Sequence, residues 1–164
     1  MTPKKYEVGI VIGRFQPFHL GHKYVLEKAL GLCNKIYIGI GSAQIFDGKN
    51  PYSAEKRKKF LERFVAEENL RERVIDILPI EDFPDDDVWF ERLKKRIPGV
   101  EVIVGDNEWV NGIFERHGLA AERIGYYKRH ILEGTKIRRR MEDKKEWQSR
   151  VPHYMVSEIE EKDE

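Results

Sequence analysis

His19 and His22 close the run Gly13-Arg14-Phe15-Gln16-Pro17-Phe18-His19-Leu20-Gly21-His22, which lies between an apolar strand pattern and a helical one. Imidazoles three residues apart share one face of a first helical turn. A helix start also presents unpaired N–H groups and the positive end of the helix dipole, a setting that suits phosphate. There the two rings can donate hydrogen bonds to phosphate oxygens and share charge that builds up in a transition state. A metal pair is the rival reading. Helical ligand pairs, however, more often sit four apart with a third ligand elsewhere. His117, His130 and His153 are scattered, and the single Cys33 adds no cluster. The glycines, Arg14 and the strand–turn–helix setting favour phosphate handling over a metal pair or ordinary surface histidines.

A second phosphate element is readable at Gly134-Thr135, which opens a basic helical run ending at Met141. Backbone N–H groups and the Thr135 hydroxyl can hold phosphate oxygens, and Arg138, one turn in, can fork onto the same group. The consecutive arginines Arg138, Arg139 and Arg140 point to different sides of a helix. Arg139 and Arg140 are therefore expected to be structural or to pair with acids such as Glu142. A solvated basic face or an RNA patch is the alternative.

The elements that must position these residues alternate. Short segments rich in Val, Ile and Tyr predict strands over residues 6–12, 35–41, 74–80, 101–105 and 123–127. Helical patterns cover 21–33, 53–68, 87–96, 108–117, 135–142 and 152–160, with Ser53 a plausible N-cap. This alternation predicts an α/β fold, a Rossmann-like parallel five-stranded sheet with helices on both faces. Such sheets bind ligands outside the carboxyl ends of their strands, which is where the marked loops fall.

Composition adds bounds. A chain of 164 residues is expected to form one domain over 1–164, with a C-terminal helical segment from about 134. No stretch approaches the roughly 20 apolar residues of a membrane span, and the Lys-rich start lacks an apolar signal core. One cysteine excludes an internal disulfide and suits a reducing cytoplasm. A net charge of +1 offers no general case for nucleic acid. The 36% of charged residues would suit ion-pair networks.

The His19–His22 run resembles the HxGH signature of the nucleotidyltransferase superfamily, and its longer form is most similar to archaeal-type nicotinamide mononucleotide (NMN) adenylyltransferases. Further matches follow in order: Gly39-Ile40-Gly41-Ser42-Ala43-Gln44, Asn50-Pro51-Tyr52-Ser53-Ala54-Glu55-Lys56-Arg57, Trp89, Asn107, and Gly134-Thr135-Lys136-Ile137-Arg138-Arg139-Arg140-Met141. The similarity runs from about residue 8 to about 159. It implies attack of the NMN 5′-phosphate on the α-phosphorus of ATP, giving NAD and pyrophosphate, with Mg²⁺ accompanying ATP. A phosphate monoester is largely ionised near neutrality, so no general base is required and positioning carries the rate.

Carried over position by position, the resemblance implies catalytic roles for His19, His22, Arg14 and Arg138. It implies ATP contacts for Gly13, Phe15, Gln16, Gly21, Asn107, Gly134 and Thr135. Ser42, Gln44, Arg57, Asp86 and Trp89 fall on the acceptor side, with Arg57 matching a phosphate contact and Trp89 a tryptophan that stacks on nicotinamide. No metal ligand from protein side chains is implied, nor a nucleic-acid or membrane partner; a homo-oligomer is.

Three positions depart from the pattern. Glu133 stands where the family has Ser, Asp86 where close relatives have Asn, and Asp106 is unmatched. A carboxylate beside a polyphosphate is repulsive unless it points away or meets a metal ion. Another phosphate acceptor, such as a flavin or pantetheine precursor, or a catalytically silent nucleotide sensor, are the competing functions. An RNA-binding module would need aromatics interleaved with its basic run.

Overall fold

Alternate side chains of the first strand enter two different cores. In the computed structural model, which describes residues 3–161, β1 (Tyr6–Gly13) sends Ile10 into one apolar cluster and Val11 into the other. The period-2 geometry of a strand requires this division, and burial of both faces requires apolar residues on both. The chain continues through α1 (Leu20–Leu32), β2 (Cys33–Ile40), α2 (Ala54–Glu67), β3 (Val74–Pro79) and α3 (Asp86–Lys94). Then come β4 (Val102–Val104), α4 (Glu108–Arg116), β5 (Ala120–Glu122) and α5 (Gly134–Glu142). A 3₁₀ turn (Gln148–Arg150) and α6 (Met155–Glu160) follow. All strands run parallel, in the order β3-β2-β1-β4-β5.

The two clusters place the helices. Leu26, Ala29 and Leu30 of α1, Phe60, Leu61 and Phe64 of α2, Ile137 of α5 and Met155 of α6 pack with Val11, Ile38, Val102 and Val104. Phe90 and Leu93 of α3 and Ile113 and Phe114 of α4 pack with Ile10, Tyr37 and Ile103 on the opposite face. Helices therefore cover both faces, as the alternation predicted. Side chains fix the starts of α2, α3 and α4. Ser53 caps α2 through Lys56 N–H, Asp85 caps α3, and Asn107 caps α4.

The last strand lies earlier than expected. Residues 123–127 look strand-like, yet Ala120 pairs with Val102 and Glu122 with Val104. The reason lies in α4, which ends on Gly118 with φ 84°, so the chain joins the sheet at once. Arg123 leaves it, its guanidinium bridging Glu108 (2.6 Å) and Glu115 (2.9 Å), and Gly125 at φ 80° turns the chain. The final helix also starts later than residue 152, because Pro152 carbonyl accepts Met155 N–H in a turn before it.

Candidate active site

β1 has β2 on one side and β4 on the other, so crossovers leave it in opposite directions and a cleft opens at the carboxyl ends of β1 and β4. The cleft holds a chamber of about 410 Å³ and a smaller one of about 160 Å³. Arg14, Phe15 and His22 line both. The smaller one adds Gln16, His19, Asn50, Gly134, Thr135 and Arg138, which draws the two predicted phosphate elements together.

His19 is the N-cap of α1. Its Nδ1 accepts the Gly21 N–H at 3.0 Å, while His22 Nδ1 accepts the His19 N–H at 3.1 Å. This is a capping box built from imidazoles, with the rings stacked 3.7 Å apart. Gly21 is required by the fold of that ring: a Cβ there would lie 2.8 Å from His19 Cε1. Because each Nδ1 accepts a backbone proton, each neutral ring carries its own proton on Nε2. Burial lowers the His19 pKa to about 4, and burial together with His19 lowers that of His22 well below the ordinary value. Near neutrality the pair is two uncharged Nε2–H donors of fixed tautomer.

The second helix start is open. Glu133 is the N-cap of α5 but makes no side-chain cap bond. Its carboxylate instead meets Lys136 at 3.3 Å and Arg129 at 3.8 Å, which offsets the repulsion its position threatened. Among the described residues the first N–H groups of α5 have no side-chain acceptor, and Gly134 and Thr135 line the smaller chamber. Gly134 permits close approach, since a Cβ would lie 2.8 Å from Gln16 carbonyl. Arg138 Nη1 donates to that same carbonyl at 2.5 Å, tying α5 to the first turn. Arg14 has no acidic partner among the described residues. Burial lowers the pKa of Arg57 and Arg138 from the guanidinium range, and Arg14 pushes both the same way. The positive charge gathered here is one that a polyphosphate would relieve.

Several expected contacts have other duties. Arg57, 1% exposed, lines neither chamber. Its guanidinium donates to the carbonyls of Ser53, Arg14, Gly41, Ser42, Ala43 and Ile45 at 2.8–3.5 Å. With its N–H groups directed at carbonyls, Arg57 is a brace for the site loops in place of the expected acceptor phosphate contact. Gln16 is similarly engaged, its amide exchanging bonds with Tyr52 carbonyl (2.9 Å) and N–H (3.1 Å). Phe15 has φ 53° and is 1% exposed, so its side chain belongs to the core beneath the turn. Lys56, beside Arg57 in the same motif, is buried and donates to Glu161 carbonyl. Arg140 donates to Glu146 carbonyl and not to Glu142.

The larger chamber has a different chemistry. Asp82, Asp86 and Asp106 line it with Trp89, Trp109 and Phe83. Asp82 accepts Ser42 Oγ–H at 3.1 Å and Gln44 Nε2–H at 2.9 Å, so these two acceptor-side candidates first hold a carboxylate. Ser42 lines the chamber and Gln44 does not. Asp86 meets Arg116 at 3.8 Å, and Trp89 packs against the second core. Asn107 lines the chamber while its Oδ1 caps α4. Asp82, Asp106, Asn50 and Trp109 are lining residues that the sequence reading left out of the site. Asn50 opened a recognised motif and Asp106 lay next to the matched Asn107, although neither was assigned to the site. An exposed Trp two residues after a cap carries no such signal.

The family follows from comparison with known proteins. The cytidylyltransferase-like family model matches residues 10–140. The chain belongs to the cytidylyltransferase-like family. Within it, the chain is 37% identical to a nicotinamide-nucleotide adenylyltransferase of Halobacterium salinarum, over 88% of this chain and 80% of that one. It is 34% identical to one from Archaeoglobus fulgidus, over 93% and 90%. A solved bifunctional NMN adenylyltransferase/ADP ribose pyrophosphatase from Francisella tularensis matches with TM-score 0.77 and 26% identity. That match covers 89% of this chain and 45% of the other, so this nucleotidyltransferase spans less than half of the bifunctional protein. The same protein has been solved with AMP and a manganese ion (TM-score 0.75, 27% identity, 89% and 44% covered).

Two predictions test this construction. Arg57→Ala leaves a set of buried carbonyls unpaired and is expected to lower unfolding free energy by about 3 kcal/mol or more, read by denaturant titration. A change below about 0.5 kcal/mol would remove Arg57 from this role. For His19, the folded pKa of about 4 lies below the unfolded value of 6.5, so the unfolded chain binds the proton first. Its contribution is intact above about pH 6.5 and is lost as pH falls towards 4, by roughly 3 kcal/mol in all. Denaturation midpoints across that window should fall less in His19→Gln than in the wild type.

Proposed function

We propose that the chain transfers the adenylyl group of ATP to the 5′-phosphate of NMN, releasing pyrophosphate and forming NAD. The observation that carries this reading is the polarity of the cleft: a cationic, donor-rich chamber of Arg14, His19, His22, Thr135 and Arg138 adjoins an acidic, aromatic one holding Trp89. ATP supplies a polyphosphate for the first. NMN supplies a phosphate at the junction and a cationic pyridinium for the second. The names of the archaeal relatives agree with this substrate pair.

In this reading His19 and His22 donate Nε2–H to the α- and β-phosphate region as charge builds in an in-line displacement. Arg14, shared by both chambers, draws the NMN phosphate and the α-phosphate together. Thr135, Arg138 and the open N–H groups at Gly134 hold the departing pyrophosphate. The acceptor phosphate enters already ionised, so no side chain need take its proton. A divalent cation accompanies ATP as part of the substrate, Mg²⁺ in our reading. Among the described residues no group of three His, Cys, Asp or Glu side chains could hold one independently. No helix among the described residues is long and apolar enough to cross a membrane. We further read the whole chain as one nucleotidyltransferase domain with a helical C-terminal segment from about residue 134, acting in the cytoplasm as a homo-oligomer without nucleic acid.

His19→Ala is expected to lower kcat/KM for NAD formation from ATP and NMN by roughly 10²–10³-fold with far-UV circular dichroism unchanged. A folded variant of full activity would remove His19 from the reaction. The acceptor side is tested with deamidated NMN, whose ring carboxylate would face Asp82, Asp86 and Asp106. A like-charge contact near 4 Å costs about 1 kcal/mol even in water, about fivefold in efficiency. The deamidated acceptor should therefore be used at least about fivefold less well, and the gap should narrow in Asp86→Asn. Equal use of both by the wild type would contradict an acidic acceptor chamber.

A further inference from the structure

The chain reaches the start of α5 through a strap, residues 125–132, that is neither helix nor strand. Where the strap begins, Asp106 accepts the Gly125 N–H at 3.0 Å and the Tyr126 hydroxyl donates to Asp106 carbonyl at 3.4 Å. Where it ends, the buried Leu132 lies against α1, its Cβ 3.6 Å from where a Cβ on Gly21 would stand. Between these points the Tyr127 ring stacks on Tyr24 of α1, with centroids 4.7 Å apart and planes 13° apart. Gly21 and Tyr24 are three residues apart and share one face of α1. The strap therefore crosses the turn of α1 that carries His22.

The same strap is fastened to α5. Lys136 Nζ donates to the carbonyls of Arg129 (3.3 Å) and His130 (3.1 Å). Lys128 carbonyl accepts the N–H groups of Ile131 and Leu132, and Arg150 donates to Ile131 carbonyl at 3.1 Å. Ile137 holds the body of α5 in the core, but Gly134 and Thr135 lie on the strap side of it. Their approach to the smaller chamber is thus set by the segment that Tyr24 holds. Neither Tyr24 nor Tyr127 lines a chamber. A stacked pair placed there fixes an orientation without touching a ligand. The Lys28 and Lys128 ammonium groups, 5.3 and 5.4 Å from the two ring centroids, add cations against both tyrosines.

We propose that the Tyr24–Tyr127 stack is a clasp between the two phosphate-facing helix starts, and that both tyrosines are positioning residues for the polyphosphate of ATP. The inference rests on the reading of ATP as the nucleotide held at Thr135 and Arg138. The clasp acts through the strap, keeping the open N–H groups of α5 opposite the His19–His22 pair. Without the stack the strap is released from Tyr24, and the hold on ATP weakens while the acceptor chamber is untouched.

Titration calorimetry with ATP and Mg²⁺, beside steady-state NAD formation, tests the clasp. Tyr24→Ala and Tyr127→Ala should each raise Kd and KM for ATP about fivefold, with KM for NMN changed by less than about twofold. Tyr24→Phe keeps the ring and should keep Kd for ATP within about twofold of wild type. The double variant should bind ATP no more weakly than the worse single one, since each substitution removes the same stack. An unchanged Kd for ATP in Tyr127→Ala, whose site of change is on the surface, would overturn the assignment. So would an equal rise in KM for NMN, or two effects that multiply. A wild-type chain that binds ATP but makes no NAD would sink the functional reading instead, and the calorimetry would still decide the clasp.

Discussion

The site depends on one buried cation that lines neither of its chambers. Arg57 reaches from the first turn of α2 and donates to carbonyls after β1, after β2 and at its own helix start. The loops at sheet ends carry backbone polar groups that must be satisfied, and in a buried position water cannot do it. A planar guanidinium offers five N–H donors in fixed directions, so one side chain satisfies several carbonyls and fixes their spacing. No carboxylate is needed, because carbonyl dipoles supply the compensating charge. Lysine could supply neither the number nor the directions. The Gly13–His22 turn and the loop holding Ser42 are therefore held relative to each other before any ligand arrives.

That constraint explains which parts of the site the sequence made legible. Strand and helix alternation rested on burial of both faces of one sheet, and positions such as Ile10 and Val11 on β1 declared it through composition alone. His19, His22, Thr135 and Arg138 were legible because helix starts and phosphate chemistry restrict residue types. Arg57 was legible as important but assigned to phosphate, since an arginine beside a phosphate motif and an arginine bracing that motif look alike in one dimension. Only the carbonyls around it separate the two. β5 was misplaced for a related reason. Residues 123–127 have strand-like side chains, but Gly118 returns the chain to the sheet early and Arg123 is claimed by Glu108 and Glu115. Tertiary context outweighed local preference.

The three departures from the family pattern also become intelligible as charge bookkeeping. Glu133 is balanced by Lys136 and Arg129 outside the phosphate chamber, so the substitution leaves the polyphosphate side cationic. Asp86 and Asp106 line the opposite end, where with Asp82 they make the chamber acidic. A dipolar cleft results from a chain whose net charge is only +1. Local placement, and not overall charge, orients a ligand that is anionic at one end and cationic at the other.

The two helix starts divide the remaining work. At α1 the imidazoles consume N–H groups of their own first turn, which locks both tautomers and aims both Nε2–H groups away from the backbone. At α5 no side chain among the described residues consumes them, so the backbone itself remains the donor. The first arrangement gives few donors of fixed direction, as suits atoms whose charge changes during reaction. The second gives several donors and a helix dipole, as suits a group that is anionic before and after. The Arg138 bond to Gln16 carbonyl joins the two helix starts, so that in the proposed reaction the reacting and departing phosphates would share one frame. Under that proposal no rearrangement is required when the bond breaks, and a site of this kind can act through preorganisation without a base.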